Sequence, residues 1–186
     1  MLAAITKCYC EPHRHYHVLT HPASMIEIGM QNFSLTDEQI LAIWYHDAVY
    51  EAGSNMNEIR SAALFFDHFS NSDLLSPESL REVEEIIIDT REHIPTLESS
   101  KAVIDLDLMG LGGTYNEYWR SAKNVRQEYS AFSDEEWKVG RTKFLDRMLA
   151  KKQIFYTEQF SLLERSARHN MEYERNLLAV GNPRYK

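Results

Sequence analysis

The chain has 186 residues, 44% hydrophobic and 26% charged, enough apolar material for a self-standing core without disulfides or structural metal. Its 7 glycines and 5 prolines exclude a collagen-like or low-complexity chain and disfavour a many-turned β-sandwich. A net charge of −8 argues against a general nucleic-acid binder or a membrane-surface helix, and no apolar run is long enough to span a bilayer.

Met1-Leu2-Ala3-Ala4-Ile5-Thr6-Lys7 lacks the apolar core and cleavage site of a signal peptide, so a cytoplasmic location is expected. Cys8 and Cys10 are too close for an ordinary disulfide, and a C-x-C without a second cysteine pair is a weak thiolate site. Thr36-Asp37-Glu38-Gln39 reads as a capping box, followed by Ile40, Ile43, Trp44 and Ala48 at helical spacing until Gly53-Ser54-Asn55 breaks the pattern. A second helix is predicted from about Asn57 to His68, with Ile59, Ala62, Ala63, Phe66 and Phe69 as its apolar residues. Ser76-Pro77 opens a third, whose stripe is Leu80, Val83, Ile86, Ile87 and Thr90, and Ile94-Pro95 marks its end. Ala102–Met109 has the composition of a strand, but its length and helical context favour a short helix. Helices follow from about Tyr115 to Tyr129, from the capping box Ser133-Asp134-Glu135-Glu136 to about Lys152, and from about Thr157 to Val180. The last stops at Gly181-Asn182-Pro183. The expected fold is all-α, a single bundle of about six to eight helices over residues 1–186.

Histidine is unevenly placed. His13, His15, His17 and His21 fall within one short stretch, and imidazoles concentrate where metal binding or proton transfer is needed. If that stretch is helical, His17 and His21 share a face. His46-Asp47 follows Ile43 and Trp44, which puts Asp47 on an apolar helix face, where a carboxylate must be paired. His93 lies seven residues after Ile86 on the third helix's stripe, and Asp107 falls on the stripe of Val103 and Ile104, with Asp105 as its competitor. Buried His and Asp on several helices point to one polar centre inside a bundle. Imidazole and carboxylate donors suit a first-row divalent ion.

The ordered set His21, His46-Asp47, Asp107 resembles the HD-domain superfamily of metal-dependent phosphohydrolases. Glu11–His17, Trp44–Tyr50, Asn57–Ala62, Asp105–Leu108 and Ala167–Glu172 are similar to a bacterial subfamily of predicted HD-superfamily phosphohydrolases, over roughly residues 8 to 175. The Tyr16-His17-x-x-x-His21 element also resembles the start of the cyclic-nucleotide phosphodiesterase site. The resemblance implies an all-α fold and a divalent ion (Mn, Fe, Ni, Co, Zn or Mg) held by His21, His46, Asp47 and Asp107, with Asp47 bridging if two ions bind. It implies His17 as general acid, Asp47 and Glu58 as further catalytic groups, and His93 as a ligand to a second ion or a phosphate contact.

Arg14, Arg60 and Arg91 are candidates to clamp phosphate, since a guanidinium fork matches phosphate oxygens. The implied substrate is a small phosphorylated molecule such as a nucleotide, with no membrane partner, nucleic acid disfavoured and a homodimer open through Phe65-Phe66 or the aromatic Tyr115–Phe132 region. The alternatives are a non-catalytic HD-fold sensor of nucleotide or metal, a di-iron oxygenase, and a purely structural helical protein.

Overall fold

The computed structural model describes residues 2–181 and 185. Among these, every regular element is helical: α1 (Leu2–Cys8), α2 (Thr20–Asn32), α3 (Asp37–Tyr45), α4 (Asn57–Phe69), α5 (Pro77–Glu92), α6 (Glu98–Leu108), α7 (Tyr115–Glu128), α8 (Asp134–Ala150) and α9 (Glu164–Ala179), with 3₁₀ turns at Met109–Gly112 and Ser161–Leu163. None of the described helices is long and apolar enough to cross a membrane. The chain divides into two compact units, residues 1–107 and 108–186.

Side-chain caps account for the starts of α3, α5 and α8. Thr36 and Ser133 each accept from the backbone of their third helical residue, Gln39 and Glu136, whose side chains reach back. Ser76 caps α5 with Pro77 behind it. The segment around Ala102–Met109 is helical, as α6. Residues 182 and 183 of the C-terminal stop signal lie outside the described residues.

Four expectations need correction. Helix α2 has no counterpart in the sequence reading, because it starts at Leu19 without a side-chain cap. Helix α3 stops at Tyr45 with His46 as C-cap, so His46-Asp47-Ala48 form a turn, closed by Ala48 N–H donating to the Tyr45 carbonyl at 2.9 Å, and Asp47 is not on a helix face. On α4 the buried aromatics are Phe65 and Phe69, while Phe66 and Ala63 face outward. Helix α9 begins at Glu164, whose carboxylate accepts from the backbone N–H of Ile154 and Phe155 at 2.9 and 3.1 Å and so fixes the irregular approach to it.

In the first unit, α5 packs against α3 and α4, burying Ile43, Phe65, Phe69, Val83, Ile86 and Ile87. Each such side chain contributes about 1.5–3 kcal/mol on leaving water. Gly29 of α2 lies where a Cβ would meet Leu106 of α6 at 3.0 Å, so the helix that carries His21 runs close to the one that carries Asp107.

In the second unit, α9 packs on α8 and on the Met109–Gly112 turn. Asn170 donates to the carbonyls of Leu111 and Gly113, both at 2.9 Å, and Arg168 donates to those of Leu149 and Lys151 at 2.9 and 2.8 Å. The Ala167–Glu172 stretch therefore serves structure in this unit. Glu174, fully buried, accepts from Arg141 through Nε and Nη2 at 2.8 and 3.0 Å and from the hydroxyls of Tyr118 and Tyr185. Burial would raise its pKa, but Arg141 and the two hydroxyls hold it below the usual carboxylate value.

Candidate metal centre

All the histidine and aspartate side chains singled out from the sequence as ligands lie in the first unit. His21 stands in the first turn of α2, His46 at the C-cap of α3, Asp47 in the turn after it and Asp107 near the end of α6. Their donor atoms converge. His21 Nε2 lies 3.1 Å from Asp107 Oδ1, 3.3 Å from His46 Nε2 and 3.6 Å from Asp47 Oδ2. His46 Nε2 lies 3.0 Å from Asp47 Oδ2 and 3.7 Å from Asp107 Oδ1. Atoms about 2.1 Å from a common centre stand about 3.0–3.4 Å apart at octahedral or tetrahedral angles; the separations of 3.0, 3.1 and 3.3 Å fall in that range, and those of 3.6 and 3.7 Å lie beyond it. The side chains of His46, His21, Asp47 and Asp107 are only 2%, 8%, 12% and 15% exposed. His21, His46 and Asp107 form a group that could hold a metal ion. Of the two aspartates on α6, Asp107 reaches this group, and the fully buried Asp105 does not belong to it.

The backbone fixes the ligand orientation. His46 Nδ1 faces the Ile43 carbonyl at 2.8 Å, and a carbonyl can only accept, so Nδ1 carries the proton and Nε2 is turned into the cluster. The turn after α3 is braced by α4: Val49 N–H donates to Ser61 Oγ at 3.0 Å, and Asn57 pairs with both backbone groups of Glu51 at 3.1 and 3.0 Å.

The electrostatics are self-balancing. Burial opposes charge on His46, but the carboxylates of Asp47 and Asp107 outweigh it and raise its pKa well above the ordinary histidine value. Burial would likewise raise Asp47 and Asp107. The imidazoles of His46, His17 and His21 hold Asp47 low, and hydrogen bonds from His21, His46 and His93 hold Asp107 low. The protonated cluster thus carries positive charge on imidazole where a cation could take its place.

Three groups flank the His21, His46, Asp47 and Asp107 cluster. His17 precedes α2 rather than sharing its face with His21, and its Nε2 lies 3.9 Å from Asp47 Oδ2. Its ring stacks on Tyr50, with centroids 4.1 Å apart, and is 19% exposed. His93 is the C-cap of α5 in a left-handed conformation (φ 52°), the one positive-φ non-glycine among the described residues. Such backbone is costly for a residue with a Cβ and persists where surrounding structure holds it. Here Asp89 does so, accepting from the Thr96 N–H at 2.7 Å and so closing the segment after α5. The outcome is His93 Nε2 at 3.3 Å from Asp107 Oδ2, opposite the oxygen that faces His21. Glu58 on α4 feels Asp47, His93 and Arg91, and burial, reinforced by Asp47, pushes its carboxyl up.

The arginines depart from expectation. Arg60 is exposed and paired with Glu51 at 3.3 Å. Arg14 has a side chain with no exposed surface, and its guanidinium is spent on backbone carbonyls and Glu11, so it cannot clamp phosphate. Arg91 is half-buried and acts electrostatically on Glu58. Sequence reasoning missed Tyr50, which stacks under His17; an aromatic three residues after Asp47 carries no periodic signal that marks it.

No family model matches the chain, and no curated protein or solved structure matches it either.

Proposed function

We propose that the chain is a divalent-metal-dependent phosphohydrolase of the HD type, acting on a small phosphorylated molecule such as a nucleotide. The observation that carries this reading is the convergence of His21 Nε2, His46 Nε2, Asp47 Oδ2 and Asp107 Oδ1 inside the first unit. Two imidazoles and two carboxylates without a thiolate suit Mn, Fe, Co, Ni or Zn. A bound ion of this kind supplies a Lewis acid for phosphoryl oxygens and brings the pKa of water toward neutrality.

The chain's own residues have separate tasks. His21 and His46 hold the ion through Nε2. Asp47 and Asp107 add negative charge that offsets it. His17, at the more open side and steadied by Tyr50, is placed to donate a proton to the leaving oxygen. Glu58, a carboxyl shifted upward next to Asp47, is placed to accept a hydrogen bond or a proton from attacking water. His93 on the far oxygen of Asp107 favours a version of the site with a second ion or a phosphate contact there.

The test is phosphate release from a panel of nucleotides and other phosphomonoesters and phosphodiesters. Protein reconstituted separately with Mn, Fe, Co, Ni, Zn and Mg is assayed beside an Asp107→Asn variant. Metal-dependent turnover of at least one phosphoester, lost in the variant, supports the reading. Metal-loaded protein that turns over none of them and binds none of them contradicts it.

A further inference from the structure

We infer that Arg14 is the positioning residue of the centre, the group that locks the general-acid loop to the metal-ligand turn. This rests on the reading of the cluster as a metal centre. Arg14 lies in the segment between α1 and α2, and its side chain has no exposed surface. A buried guanidinium needs several acceptors to offset its lost hydration. Arg14 finds them in two segments far apart in sequence. One nitrogen, Nη1, donates to the carbonyl of His17 at 3.2 Å and to that of Asp47 at 2.6 Å. The neighbouring Nη2 donates to the Ala48 carbonyl at 3.0 Å, and Nε donates to Glu11 at 2.9 Å. The planar group lies 5.2 Å from the ring centroid of Tyr9 and 5.5 Å from that of Tyr50.

Both rings belong to the same framework. Tyr9, almost wholly buried, donates through its hydroxyl to the Trp44 carbonyl at 3.1 Å and so fixes the end of α1 against the last turn of α3. Tyr50 stacks on His17, with ring centroids 4.1 Å apart. One guanidinium therefore sets the backbone of His17 and of Asp47 together, along with the ring on which His17 rests. A lysine at this position keeps the charge but loses the planar fork that reaches two carbonyls and stacks between two rings.

The test uses cobalt(II) alone as probe, on Arg14→Lys and Arg14→Gln beside the native protein. His21, His46 and Asp107 stay in place in the variants, so cobalt still binds. Its affinity is expected to fall about 10–100-fold, the usual effect of removing a group that orients a ligand. The visible cobalt absorption bands are expected to shift as Asp47 loses its fixed orientation. Val83→Ala, a core change of the same unit on α5 ten residues before His93, controls for general loss of stability and should leave the spectrum unchanged. Should Arg14→Gln fail to fold, Arg14→Lys decides the matter. Native spectrum and affinity in the Arg14 variants would overturn the positioning role while leaving the metal centre standing. A native protein that binds no cobalt would overturn the metal centre and this role with it.

Discussion

His46 Nδ1 points at the carbonyl of Ile43, three residues back at the end of the same helix, at 2.8 Å. The contact uses an orphan carbonyl of the last turn of α3 to choose the tautomer of a histidine. It turns Nε2, the nitrogen that must give up its proton before it can hold a metal, toward His21, Asp47 and Asp107. The helix stop and the ligand geometry are one event: had α3 run on, this carbonyl would have been taken by the backbone.

Removing a ligand should therefore be severe and removing a flanking group mild. His21→Ala or Asp107→Asn is expected to weaken binding of a first-row divalent ion by more than about 100-fold, beyond the effect of an orienting group. Glu58→Gln is expected to leave affinity within about tenfold and to act on turnover. Isothermal titration of the apo-protein with zinc or cobalt checks both.

The pH dependence of metal binding follows from His46. Its folded-state pKa lies above the ordinary 6.5, held there by Asp47 and Asp107 despite burial. In the apo-protein, the stabilisation from the protonated imidazole is complete below 6.5 and is lost as pH rises through the raised value. Metal needs the neutral ring, so binding releases a proton and affinity rises with pH over that same interval. Titrations in buffers of different ionisation enthalpy would show the released proton, and an affinity independent of pH above 6.5 would contradict it.

His17→Ala is expected to keep the metal and lose turnover by about 10²–10⁴-fold on substrates with a poor leaving group, the range for general acid catalysis. A nitrophenyl ester, whose leaving group needs no proton, should lose far less. The ratio of the two losses is the measurement, since a misfolded site would lower both alike.

In the second unit, Glu174→Ala leaves Arg141 buried without its carboxylate and is expected to cost about 3–5 kcal/mol. The native pair also sets an acid limit. Glu174 has a folded-state pKa below the ordinary 4.5, so its contribution is present above 4.5 and is lost as pH falls through the lowered value. Urea unfolding followed by tryptophan fluorescence between pH 3 and 6 would register this, because Trp137 shares the cluster of Arg141 and Tyr185.

The local part of this architecture was legible in the sequence. Capping at Thr36, Ser76 and Ser133 is a matter of a few adjacent residues, and all three helices begin where those residues say. The metal-type residues were legible by identity, since His21, His46, Asp47 and Asp107 offer few bland explanations together. Their geometry was not. Asp47 suggested a helix face but lies in a turn, which is braced from α4 by Ser61, a contact no window around residue 46 contains. His17 and His21 meet without sharing a helix, their ring centroids 6.0 Å apart and Tyr16 packed against both. Arg14 reads as a surface phosphate clamp until its acceptors, the carbonyls of Asp47 and Ala48, are seen more than thirty residues away. Phe65 rather than Phe66 is buried beside Ala62 and Phe69, because a short apolar stripe does not decide which of two adjacent phenylalanines faces the core.

The most direct measurement is the metal content of the purified protein by plasma mass spectrometry, beside a His46→Ala/Asp47→Ala variant of confirmed fold. The account predicts one or two first-row ions per native chain, present on purification or after reconstitution, and none retained by the variant. Native protein that holds no ion after reconstitution with Mn, Fe, Co, Ni and Zn, or a variant that holds as much as the native chain, would contradict it.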